Sequence, residues 1–304
     1  MAGRIIAQYA ADGMVLSTAN IYFTAHDDGG ARVFRTAQSA TPGQETELCY
    51  QPDCRFGDIV YADVDGVFYG YFFALASGTT TIRRIPLAPQ QGQVAEIVKS
   101  LPADIDIVSS HGNLVTDGSF LYWQSDTAIN KMPIQGGAIT NLDTTPLTRP
   151  VTGLRLVGPN LIYAVDRVLY YVRADGSSTT IPPLRALFNA DAGIVAFAFE
   201  TEVITELIYV ADCNGGIAVH SANGTSFVQV PGSAFITSMA DANQWTQMAV
   251  AKLASGEVEA AWQLRINADI NSYTFTIGSN PRLALANASG VYWLDDDGVV
   301  TYDL

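Results

Sequence analysis

The chain has 304 residues, a formal net charge of −14, 48% hydrophobic side chains and only 15% charged ones. That much apolar material fills a large core and excludes an intrinsically disordered chain. The only lysines are Lys99, Lys131 and Lys252, which excludes the basic patch that nucleic acid or an anionic membrane surface would need. No run approaches the roughly 18 consecutive apolar residues of a membrane-spanning helix, so membrane insertion is not expected.

Met1-Ala2-Gly3-Arg4-Ile5-Ile6 carries no signal-peptide core, so the chain is read as either cytoplasmic or secreted with its leader removed. Cys49 and Cys54 flank Tyr50-Gln51-Pro52-Asp53, a spacing that suits either a local disulfide or two free thiols, while Cys213 is left over. A bridge would favour an oxidising compartment and hence secretion.

Taken in chain order, the apolar alternation sets out units of four short strands. After a lone strand in Arg4–Tyr9, the first unit is expected near 14–19, 21–26, 31–37 and 45–50, and the second near 59–64, 67–75, 80–87 and 93–99. The third falls near 113–116, 119–125, 128–134 and 138–142, and the fourth near 153–157, 160–165, 168–173 and 178–182. The fifth is near 194–200, 206–212, 216–221 and 226–230, and the sixth near 235–240, 245–253, 257–266 and 272–277. Three strands remain, near 282–287, 290–295 and 298–303, and the N-terminal strand is the missing fourth.

An aromatic strand ending in an acidic loop marks the units, as in Leu161-Ile162-Tyr163-Ala164-Val165-Asp166 and Leu207-Ile208-Tyr209-Val210-Ala211-Asp212. A pitch of about 43 residues with four strands per unit predicts an all-β, seven-bladed β-propeller. The expected domain is single, 1–304, and is closed by the N-terminal strand pairing with the last blade, because an unpaired edge invites aggregation.

Leu121-Tyr122-Trp123-Gln124-Ser125, followed by Ile129-Asn130-Lys131-Met132-Pro133-Ile134-Gln135-Gly136-Gly137, and Val291-Tyr292-Trp293-Leu294-Asp295 carry a further pattern. They resemble the repeats of bacterial propellers of the Tyr-Trp-Thr-Asp and virginiamycin B lyase-like superfamily. The third unit matches well and the rest of the chain matches as a repeat. The resemblance implies the fold and no particular activity.

In such a fold the loops between second and third strands emerge on one face with the connections between blades. That rule gathers His26, Asp27, Asp28, Asp126, Asp166, Arg167, Asp212, Cys213 and Asp295 to Asp297 from the first set of loops. The connections add Asp53, Cys54, Arg55, Asp104, Asp106, His111, Arg149, Arg185 and Asp191. Asp126, Asp166, Asp212 and Asp295 recur in register, so they are read as turn-forming acids that serve each blade.

The singular residues are the better site candidates. His26 and His111 are the candidate catalytic pair; Asp27, Asp28, Arg55, Asp126, Arg149, Arg167, Asp212 and Asp296 are candidate ligand contacts. An oxygen-rich rim of this kind suits Ca²⁺ or Mg²⁺ if a cation is bound. His220 and the aromatic clusters Tyr69, Tyr71, Phe72, Phe73 and Tyr170, Tyr171 are read as structural.

No nucleophile elbow, phosphate-binding glycine loop or Cys-x-x-Cys pair is present in the sequence. The expected function is recognition of a protein, glycan or small molecule over the loop face by a monomer. The alternative is a lyase, hydrolase or cyclase using His26 and His111, and a third reading is a scaffolding subunit.

Overall fold

The computed structural model describes residues 4–90, 92–102, 113–125, 128–143, 152–165, 167–177, 184–185, 194–199, 208–212, 216–221, 224–229, 233–243, 246–253, 258–264, 270–275, 282–287, 290–295 and 298–303. β1 (Arg4–Ala7) is followed by a sheet of β2 (Ala11–Leu16), β3 (Asn20–Asp27), β4 (Gly30–Ala37) and β5 (Thr46–Pro52). The next is β6 (Cys54–Val64), β7 (Val67–Ala76), β8 (Thr79–Pro86) and β9 (Glu96–Ser100). β10 (Leu114–Thr116), β11 (Phe120–Gln124), β12 (Ile129–Pro133) and β13 (Thr140–Asp143) form a third. β14 (Thr152–Val157), β15 (Asn160–Val165), β16 (Val168–Arg173) and β17 (Leu184–Arg185) form a fourth.

Further on come β18 (Ile194–Phe199), β19 (Ile208–Asp212), β20 (Gly216–Ser221) and β21 (Gly224–Gln229) in one sheet. β22 (Ser233–Asn243), β23 (Thr246–Leu253), β24 (Val258–Leu264) and β25 (Ile270–Phe275) make another. The last sheet runs β1, β28 (Gly298–Asp303), β27 (Gly290–Asp295), β26 (Arg282–Asn287), so the N-terminal strand does pair with the C-terminal one, Arg4 opposite Thr301 and Ala7 opposite Val299. Side chains are described through most of five of these sheets, so blade packing is established for five of the expected seven; the sheets from β18 to β25 stand chiefly on backbone pairing.

The described chain divides into two compact units, Tyr9–Tyr163 with Tyr171–Pro182, and Met1–Gln8 with Ala164–Tyr170 and Pro183–Leu304. In the first, β2 packs on β6, β6 on β10 and β10 on β14; in the second, β18 packs on β22 and β22 on β26. First strand against first strand of the next sheet is the contact of a β-propeller.

Period-two alternation explains how one sheet serves two neighbours. On β7, Phe72 and Ala74 enter the core shared with Tyr22, Val33, Leu48 and Cys49 of the preceding blade. Tyr71 and Phe73, one residue out of step, join Leu114, Leu121, Trp123 and Met132 of the following blade. Tyr71, Phe72, Phe73, Trp123 and Trp293 are all at most 3% exposed, which confirms these aromatics as blade packing; each such burial is worth about 1.5–3 kcal/mol. Two lysines add polar ties between blades: Lys99 Nζ donates to Gly137 O at 2.8 Å, and Lys131 Nζ to Ala174 O at 2.7 Å.

The strand limits correct the sequence reading in three places. β2 spans Ala11–Leu16 rather than 14–19: it begins earlier because Ala11 still pairs with Ala25 across a bulge, and it ends earlier because Ser17 makes the turn, its N–H donating to Asn20 O at 2.9 Å. β6 begins at Cys54 rather than 59, since Asp53 alone, at φ 51°, reverses the chain and leaves no connecting loop. The fourth strand expected at 178–182 lies outside the described residues; pairing with β16 is found at Leu184 and Arg185, beyond Pro182 and Pro183, which lack the N–H a ladder uses.

Candidate functional site

His26 and Asp27 are the last two residues of β3, not members of a loop as expected, and pair with Ala31 and Gly30 of β4. Arg55, also expected in a connection, is the second residue of β6 and pairs with Leu75. The correction brings His26 and Arg55 together: Arg55 Nη2 donates to His26 Nε2 at 3.2 Å.

The other ring nitrogen meets a residue that sequence reasoning missed. His26 Nδ1 lies 2.5 Å from Asp12 Oδ2. Asp12 occupies a β-bulge, where the pairing of β2 with β3 steps from Ala11 opposite Ala25 to Gly13 opposite Thr24. A bulge re-aims one side chain, and here it turns a carboxylate toward the imidazole. A guanidinium has only donors, so Nε2 accepts from Arg55 and Nδ1–H donates to Asp12. Asp12 and His26 are 15% and 30% exposed, so this brace between the first two blades is half-buried.

The bulge also fixes how closely β6 approaches. A Cβ on Gly13 would stand 2.6 Å from Asp58 Cα and 2.8 Å from Gly57 O. Gly57 O accepts from Thr24 Oγ1 at 2.7 Å, and Asp58 Oδ2 accepts from Asn113 N at 2.7 Å. Asp58 is 4% exposed and sits in a second bulge, between Phe56 and Ile59. It too was absent from the sequence candidates.

Asp27 serves its own turn. Its Oδ1 accepts from Gly29 N at 2.8 Å, and its Oδ2 pairs with Arg32, which also reaches Glu47 at 3.2 Å. The Gly29 N–H, and after it the Arg32 guanidinium, hold the Asp27 carboxyl below the usual carboxylate range. Arg32 lies 4.7 Å from the centroid of the Tyr50 ring, whose hydroxyl donates to Gly29 O at 2.5 Å. Asp28, Tyr50 and Asp53 remain exposed at this end of the first blade.

The equivalent position in the last blade shows the same device in a different setting. Asp295 and Gly298 pair across the turn between β27 and β28 as Asp27 and Gly30 do between β3 and β4. Gly30 and Gly298 have φ of 143° and 135°. A Cβ there would stand 2.3 Å from Gln51 O and 1.9 Å from Ala7 O respectively. Asp295 is fully buried, consistent with an acid that serves the blade.

Cys49 and Cys54 are free and buried, so the bridge that would have favoured secretion is not formed. Burial pushes the Cys49 thiol up to about 12, and raises that of Cys54 as well. Arg167 is exposed. Asp212 ends β19 opposite Ile194 of β18, and His220 lies in β20 opposite Ile208. His111, Asp126, Arg149 and Asp296 lie outside the described residues. Among the described residues no group of three or more His, Cys, Asp or Glu is placed to hold a metal ion.

No family model matches the chain. None of the curated proteins matches it either. It is similar in structure to YCF48 from Cyanidioschyzon merolae, at 11% identity and a TM-score of 0.68, covering 100% of this chain and 99% of that one. The WD40 β-propeller domain of Doa1 matches at 10% identity and a TM-score of 0.66, covering 98% and 96%. A chain in the crystal structure of the mitotic checkpoint complex matches at 13% and 0.64, covering 99% and 91%. At these identities the likeness shows the fold, and the chain is an all-β β-propeller.

Proposed function

We propose that this chain is a recognition propeller for a protein partner, engaged at the end of the blades that carries Asp28, Tyr50 and Asp53. One observation carries the reading: His26, Asp27 and Arg55 are committed to the scaffold, whereas Asp28, Tyr50 and Asp53 stay exposed. Both nitrogens of His26 are occupied, by Asp12 and by Arg55. A general base needs a nitrogen open to a substrate proton, so the arrangement favours recognition over the lyase, hydrolase or cyclase alternative.

The exposed acids call for a partner bearing Lys or Arg, and Tyr50 offers a rigid aromatic contact of the kind that anchors interfaces. That a chain of this fold belongs to a complex, the mitotic checkpoint complex, supports a protein rather than a glycan or small molecule as the partner. We further propose that residues 1–304 form a single, monomeric domain in which all seven sheets are blades and β1 closes the last. The likeness to Tyr-Trp-Thr-Asp propellers belongs with this packing, since Tyr122, Trp123, Tyr292 and Trp293 are each at most 1% exposed.

The test uses the wild-type chain and the variant Asp28→Lys as baits against native lysate, with quantitative mass spectrometry. A partner retained by the wild type and reduced on the order of tenfold by the variant, at unchanged melting temperature, is the expected result. Equal recovery on both baits would remove this face from the proposal.

A further inference from the structure

The brace between the first two blades is built on a side chain that changes charge near neutral pH. A neutral imidazole has one donor nitrogen and one acceptor, and the two neighbours of His26 use one of each. Asp12 Oδ2 takes the Nδ1 proton at 2.5 Å, and Arg55 Nη2 donates to Nε2 at 3.2 Å. Imidazolium donates from both nitrogens. A second proton, on Nε2, therefore keeps the contact with Asp12 and makes it an ion pair, whereas the contact with Arg55 becomes donor against donor and cation against cation.

The surroundings do not offset that repulsion. Among the described residues Asp12 is the carboxylate within ion-pair distance of the ring, and the Arg55 guanidinium makes no hydrogen bond or ion pair other than the one to Nε2. Across the sheet His26 stands opposite Ala31, and Ala31 opposite Gln51, whose side chain accepts from Arg83 of β8, so the other charge along this row is positive as well. The same side of the blade carries buried Tyr22 and Cys49, and Cys54 of β6 joins them; burial raises both thiols, which stay protonated at neutral pH. Asp27, next along β3, is taken by Gly29 N and by Arg32 of β4, and Asp28 and Asp53 are exposed.

We propose that Asp12, His26 and Arg55 form a pH-sensitive clasp: with the ring neutral it joins β3 of the first blade to β6 of the second, and uptake of one solvent proton at Nε2 ejects the Arg55 guanidinium while Asp12 keeps the ring. Arg55 lies two residues beyond the reversal at Asp53 and just before the bulge between Phe56 and Ile59, so release loosens the entry to β6. The next tie, from Thr24 Oγ1 to Gly57 O at 2.7 Å, contains no titratable group and limits how far the opening spreads. The clasp is a property of the chain alone and does not depend on the function proposed above.

The test is hydrogen exchange of the full chain, read by mass spectrometry on peptides covering residues 53–58 and corrected for the intrinsic rate at each pH. Protection there should fall on the order of tenfold from about pH 7.5 to about pH 5, with residues 114–124 of the third blade unchanged. Arg55→Met should show the low protection at both pH values, and His26→Gln should show no pH dependence. Imidazole nitrogen resonances of the wild type give a reading that needs no variant to fold: His26 should be the Nδ1–H tautomer at the upper pH and gain its second proton over the interval in which protection is lost. Protection that does not change with pH, a change that persists in His26→Gln, or a loss that occurs while His26 is still neutral would overturn the proposal.

Discussion

The first blade and the last use one turn to opposite ends. In the first, Asp27 is exposed, Gly30 presses against Gln51 O, and the fourth strand follows directly in the chain. In the last, Asp295 is fully buried, Gly298 presses against Ala7 O, and the fourth strand arrives from the other end of the sequence. The two blades teach that the Asp-x-x-Gly turn is a packing device for whichever strand lies outermost, and that β1 fills in the last blade the place that β5 fills in the first.

The comparison breaks most violently at the two glycines. Gly298→Ala and Gly30→Ala each set a Cβ inside the van der Waals radius of a backbone carbonyl, at a φ that L side chains rarely adopt. Each should cost about 3 kcal/mol or more, read as a fall in melting temperature. If both blades work alike, the two losses will be similar; a silent Gly298→Ala would mean that β1 yields where β5 does not.

The acids should separate where the glycines agree. Asp295→Ala removes a fully buried carboxylate and leaves its partners unsatisfied, a loss of about 2–4 kcal/mol. Asp27→Asn at pH 7 should shift the melting temperature by no more than about 2 °C, because the group is exposed. Its effect lies on the acid side. The Asp27 carboxyl is held below its unfolded value, so its contribution is present above the unfolded carboxylate pKa of about 3.9 and is lost as pH falls through the lower folded value. Thermal melts from pH 7 to 2 should therefore converge for wild type and Asp27→Asn at the acid end.

The smallest expected effect concerns the thiols of the first blade junction. Cys49 and Cys54 should resist a thiol-labelling reagent at pH 8 in the native protein and react fully after denaturation, since both are buried and burial raises both thiols from their ordinary range, that of Cys49 to about 12. Rapid labelling of either in the native state would place the junction in water.

Much of the blade pattern was legible because strands buried on both faces need apolar runs, and Leu161-Ile162-Tyr163-Ala164 or Val291-Tyr292-Trp293-Leu294 are such runs. The limits of β26, β27 and β28 agreed with expectation because short turns ending at Gly290 and Gly298 define both hairpins. The site was less legible, for a local reason. Asp12 precedes the expected first strand, and Cys54 to Asp58 precede the expected second, so the bulges that aim Asp12 and Asp58 fell in segments read as connections. Their visible signals were Gly13 and Gly57, since an isolated glycine in a strand often marks a bulge or a close approach. Asp27 and Arg55 were found by residue type, but the pairing of Arg55 with His26 depends on two blades meeting, which spacing within one unit does not reveal.

The central claim is that the first residues are an ordinary strand of the last blade. Native-state hydrogen exchange, read by mass spectrometry on peptides covering residues 4–7 and 298–303, tests it most directly. The account expects the β1 amides to be protected to the same extent as those of β28 and to lose protection first in Gly298→Ala. Exchange of residues 4–7 at the rate of a free tail in the wild-type protein, with β28 still protected, would contradict it.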